Sequence, residues 1–154
     1  MDEKQKRMVG YMVILGGFLM VAGVFLDWTD GFGLARNGWD YFTEPDAAKV
    51  LDYTYAAAVF VTAGATSMIV GILKLVPSIE GKAGLALSAV AIVVSLVALI
   101  IGLLFYFELS DYFGGIEDVS IETGIWVCIA GGVIVLIESI VAIYLSRKDS
   151  AESS

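Results

Sequence analysis

Glu138, between Ile137 and Ser139, is the only Asp, Glu, Lys or Arg deep in any long apolar run of this chain. An acid in that setting either passes a proton or cation, or sits neutral and hydrogen-bonded to a hydroxyl on a neighbouring helix or partner subunit. The residue types around it leave both readings open. Cys128 lies in the same run and is the only cysteine, and there is no histidine. No intrachain disulfide is therefore possible, and imidazole or paired-thiolate metal sites are excluded. No cofactor is expected. Nucleophilic catalysis has no support either, because there is no Cys–His pair and no Gly-x-Ser-x-Gly elbow. Gly31-Phe32-Gly33 reads as turn or bulge geometry and not as a phosphate loop. The expectation is a protein that is not an enzyme.

The second group that could do chemistry is a set of carboxylates. Asp27, Asp30, Asp40, Glu44, Asp46, Asp52, Glu108, Asp111, Glu117, Asp118 and Glu122 fall in two segments that hold only Arg36 and Lys49 as bases. Those segments therefore carry a charge of about −9 and attract cations. No stretch has EF-hand ligand spacing, so no particular ion is implied. A solvated acidic surface is the simpler reading, and a cation-concentrating vestibule the sharper one.

These residues must be positioned by helices that cross a bilayer. The chain of 154 residues is 58 % hydrophobic and 17 % charged, with a mean hydropathy of +0.85. Soluble domains run nearer half apolar and a quarter charged. A spanning helix needs roughly 20 mainly apolar residues. Four segments qualify, at 8–26, 55–73, 83–107 and 123–145, within a single domain covering 1–154. Lys4, Lys6 and Arg7 before the first run resemble a signal-peptide n-region, but the run is too long for a signal core, so a retained helix is expected. The expected class is an all-α membrane protein, a four-helix transmembrane bundle with a small extracellular cap. Lys and Arg place the termini and the second connection inside: seven bases lie there, against two in the loops 27–54 and 108–122. Both termini are thus expected in the cytoplasm and the protein in the plasma membrane. Asp149 to Ser154 reads as a short disordered tail.

Fourteen of the 18 aromatic residues lie in the two outer loops or at the outer helix ends. An ordinary aromatic belt would populate both interfaces. The asymmetry points to a packed cap with its own core, in which Trp28 and Trp39 anchor the loop to the helix ends. Trp28, Phe32, Trp39, Tyr41 and Phe42 are the candidate interface residues, since exposed aromatics are common anchors for partners. Asn37-Gly38 is a favoured hairpin turn, which predicts strands through Leu34-Ala35 and Trp39–Phe42. Val119 and Ile121 alternate with polar residues and predict a short strand beside that hairpin. Thr43-Glu44-Pro45-Asp46 reads as a helix start, so the second helix is expected to begin near Glu44, outside the membrane. The third is expected to continue through Glu108 to Phe113 and stop at Gly114-Gly115. Small-residue stripes mark the helix contacts: Ala63, Ser67 and Gly71; Ala91, Ser95, Ala98 and Gly102; Gly124, Cys128 and Gly132; Gly16, Gly17 and Gly23. They serve either packing within the chain or self-association.

Four spans, internal termini, a longer first outer loop and a tryptophan just after the first span resemble the claudin-type tetraspan architecture. Trp28 matches that tryptophan, and Gly38-Trp39 is similar to part of the family's Gly-Leu-Trp motif; the family's two loop cysteines are absent here. The resemblance implies a four-helix bundle capped by a small outer sheet, with a role in adhesion, lateral assembly or as an accessory component. The functional expectation is a protein that works through protein contacts, as an accessory subunit of a larger membrane complex or a self-assembling scaffold. Its partners would be the lipid bilayer, other membrane subunits or further copies, with cations at the acidic face and no nucleic acid. The alternative is a small cation or proton conductor using Glu138 and the acidic vestibule.

Overall fold

The computed structural model describes all 154 residues. It contains four helices long and apolar enough to cross a membrane: α1 Glu3–Val24, α3 Ala56–Lys74, α4 Lys82–Phe113 and α5 Thr123–Glu152. A short helix α2, Gly38–Thr43, and three strands lie between them: β1 Asp27–Gly31, β2 Leu34–Asn37 and β3 Val119–Ile121. α1 starts at a reciprocal cap: Asp2 Oδ1 accepts from Gln5 N at 2.7 Å and Gln5 Oε1 from Asp2 N at 3.1 Å. α4 runs past its apolar stretch to Phe113, with Gly114 as its C-cap. At 1.5 Å per residue it is about 48 Å long, well beyond the ~30 Å of a bilayer core.

α1 and α4 lie diagonally opposite, and each packs against both α3 and α5. The small-residue stripes point inward and are buried, so they serve packing within the chain. The closest seams flank α1. A methyl group added at Gly16 would lie 2.7 Å from the Gly131 carbonyl of α5, and one at Gly17 would lie 2.6 Å from the Gly64 carbonyl of α3. Only glycine permits such backbone approach, and in lipid this packing replaces the missing hydrophobic drive.

One end of the bundle gathers the chain termini and the turn between α3 and α4; the other carries the cap. The cap is a three-stranded antiparallel sheet in the order β2-β1-β3. β3 pairs Thr29 with Ile121 and Gly31 with Val119, as its alternation predicted. Three expectations about this end and the tail are corrected. The hairpin turns at Phe32-Gly33, with φ of +53° and +75°, and not at Asn37-Gly38. Asn37 instead caps α2: its side chain accepts from Asp40 N at 2.9 Å, and Asp40 Oδ2 accepts from Asn37 N at 3.0 Å. Trp39, Tyr41 and Phe42 are consequently helical. The second spanning helix begins at Ala56, and the signals near Glu44 start only a single 3-10 turn, Ala47–Lys49. Beyond it, Glu108 of α4 captures the backbone N–H groups of Asp52 and Tyr53 (the latter at 3.0 Å), and Leu51 is buried. Those donors are spent on a carboxylate and not on a helical ladder, so the chain bends there. Finally, the expected loose tail is helical through Glu152, with Asp149 paired to the Met1 amino group and Lys148 to Glu152 at 3.8 Å.

Candidate functional site

The cap is organised around Trp28. It follows α1 by one short turn and is completely buried. Its indole N–H donates to the Gly23 carbonyl at 2.8 Å, an acceptor at the end of α1 that otherwise takes only the longer 3.3 Å bond from Leu26 N. Its ring meets Phe60 of α3 edge-on at 6.3 Å and 88°, and Phe105 of α4 at 5.5 Å. Gly38 and Gly124 fit against it so closely that a methyl at either would come within 2.6 Å of the indole. One side chain thus joins α1, α2, α3, α4 and α5.

Tyr41 completes this core. Its ring stands against Phe105 at 5.5 Å and 76°, and its hydroxyl shares a 2.6 Å hydrogen bond with Thr29 Oγ1 in β1. Burial pushes the phenol above its ordinary value, and the Thr29 bond opposes that rise. Trp28 and Tyr41, two of the five candidate interface residues, are therefore buried, Tyr41 at the floor of the outer cleft that Phe32 and Leu34 also line.

The other three are exposed, in two places. Trp39 and Phe42 meet at a tilt, 5.3 Å apart, and extend through Phe25 at 6.0 Å into a ridge at the cap end of α1, beside exposed Leu26. Of these rings Trp39 is amphipathic, the kind that a membrane interface selects, while Phe25 and Phe42 are wholly apolar. Phe32 is different. It occupies the hairpin tip, 70 % exposed, in the left-handed backbone region. That conformation costs an L-residue about 1 kcal/mol or more and is normally left to Gly, Asn or Asp. Phe32, Leu34, Val50 and Tyr112 line a cleft of about 290 Å³ together with the Arg36–Glu44 ion pair. All four apolar side chains are exposed.

Glu138 lies on the heptad line of Gly124 and Gly131 in α5, half-buried at the flank of the helix facing α1, and takes part in none of the ion pairs. The carboxylates of the cap disperse: Glu108 binds backbone, Glu44 pairs with Arg36 and Asp46 with Lys49 at 2.7 Å. No three of His, Cys, Asp or Glu are grouped to hold a metal ion.

Sequence reasoning missed Lys74. By position it belongs with the seven bases of the termini and second connection, yet it is only 6 % exposed, and its ammonium donates to Ser88 Oγ of α4 at 2.5 Å. The signal was present: Lys74 follows Ser67 by seven residues and Gly71 by three, so it continues the inward stripe of α3.

Comparison with family models, with curated proteins and with solved structures gave no match for this chain.

Proposed function

We propose that the chain is a non-enzymatic integral membrane protein that acts through protein contacts made by its cap, as an accessory subunit or a self-assembling scaffold. The observation that carries this reading is Phe32. A large aromatic is kept, mostly exposed, at a backbone position that disfavours it. Strain held at an exposed tip is a common mark of a functional surface. The neighbouring apolar cleft gives a partner residue somewhere to enter, and the ion pair in its lining gives orientation. The Trp39–Phe42 ridge serves the membrane interface in this reading. The cap then faces outside and both termini face the cytoplasm of the plasma membrane, which the distribution of Lys and Arg supports. Four apolar helices and a three-stranded sheet also support a claudin-type plan.

The test exploits the strain. Phe32→Asn suits the turn, so the fold should be as stable as wild type or slightly more so. Native mass spectrometry of the protein extracted in mild detergent should show the partner or oligomer of the wild type lost in this variant. An unchanged particle would sink the reading. Conduction through Glu138 is the second reading in class, and no contact of Glu138 favours it.

A further inference from the structure

The terminal end of the bundle holds a cavity of about 270 Å³ between α1, the start of α4 and the end of α5. Three cations line it: the Met1 amino group, Lys6 of α1 and Lys74 of α3. Lys6 is balanced by Glu80 at 3.2 Å, and the Asp149 carboxylate in the wall is taken by the Met1 amino group. Lys74 has no such balance. It is more than nine-tenths buried, its only partners are the neutral Ser88 hydroxyl and, at 3.5 Å, the Gly84 carbonyl, and no ion pair reaches it. A buried ammonium without a counter-charge is costly, and it is seldom kept where nothing neutralises it.

A second feature opens onto the same cavity. α4 begins there at Gly81, which has no side chain to cap the helix, and Gly81 and Gly84 line the wall. The N–H groups of Lys82, Ala83 and Gly84 have no acceptor within the helix. Orphan N–H groups and the helix dipole favour an anion there. The buried cation and the open helix start therefore ask for the same ligand.

We propose that this cavity binds a phosphate group, with Lys74 as its buried counter-ion, Lys6 as a second cation and the first turn of α4 as its backbone donors. The chemistry is shared by the headgroup of an anionic phospholipid in the adjoining leaflet and by free inorganic phosphate. The proposal is independent of the cap's role and of which side of the membrane this end faces.

The full-length protein would be delipidated in detergent and examined by native mass spectrometry with phosphatidylglycerol, with phosphatidylcholine, and with inorganic phosphate. One phosphatidylglycerol retained per chain, in preference to phosphatidylcholine and resistant to millimolar phosphate, assigns the site to a lipid. Retention of phosphate, with no preference between the lipids, assigns it to the free ion. In either case Lys74→Gln should weaken binding about tenfold or more, as loss of a charge-assisted bond predicts. Lys6→Gln should weaken it less, and Lys49→Gln at the cap end should leave it unchanged. Lys74→Arg, which keeps the charge, should retain binding and serves if the Gln variant misfolds. Equal retention of both probes by wild type and both Lys74 variants, or retention of neither probe by wild type, overturns the proposal.

Discussion

The two ends of the bundle close the same four helices by opposite means. The cap end does it with rings: Trp28, Tyr41, Phe60 and Phe105 share one dry core, and only two hydrogen bonds, to Gly23 and Thr29, are needed to satisfy it. The terminal end does it with charges: Lys6–Glu80, Met1–Asp149, Lys148–Glu152 and the unbalanced Lys74 ring a cavity or sit in solvent. Rings need shape and stabilise through buried area, so they are intolerant of change. Among the charges, the Lys148–Glu152 pair is exposed on both sides, and such a pair is screened and worth little. The difference teaches where to look for rigidity and where for a ligand.

Substitutions can break or sharpen this contrast. The largest effect is expected from Trp28→Ala, which should cost about 3–5 kcal/mol in a reversible unfolding titration in detergent. Lys148→Gln at the other end, which removes the exposed pair with Glu152, should cost under about 1 kcal/mol in the same titration; similar costs at the two ends would end the contrast. Gly38→Ala should follow at about 1–3 kcal/mol, because its methyl would meet the Trp28 ring. Thr29→Val should cost about 1–2 kcal/mol by leaving the buried Tyr41 hydroxyl without a partner.

The smallest effect is a pH dependence. The Tyr41 phenol is raised in the folded cap from its ordinary 10.0, so the folded state holds this proton after the unfolded chain has released it. Its contribution is complete below pH 10.0 and is lost as pH rises from there through the folded value. Over that window the wild type should lose up to about 1.4 kcal/mol per pH unit more than Tyr41→Phe. Lysines titrate in both proteins and cancel in the comparison. Parallel slopes would mean that the phenol is solvated.

How much of this was legible follows the same division. The spans could be read because a bilayer sets a length that few other sequences meet. The stripes could be read because lipid leaves close packing as the main source of helix contact. The cap was harder, because its signals are shared between structures. Asn37 is as good a helix cap as it is a turn residue, and Asp40 three positions later tips the balance by completing the reciprocal cap. Nothing local marked Asp52 and Tyr53 as partners of Glu108, which is 55 residues or more away. Among the aromatic residues, composition predicted a core but could not say that Trp28 would be inside and Trp39 at the edge. Lys74 was hidden by its place at the end of an apolar run, where charge suggests a loop and periodicity suggests the interior.

The glycine seams of α1 carry a consequence for biogenesis. Ribosomes deliver α1 first and α5 last, yet α1 is grooved for both α3 and α5. At ordinary translation rates the face that receives Gly131 waits on the order of ten seconds for its mate. Throughout that wait a narrow, small-residue groove stands open to lipid and to any other newly inserted helix with a similar face. If the chain inserts as proposed, α5 is a latch on α1, and the groove needs cover until that latch closes.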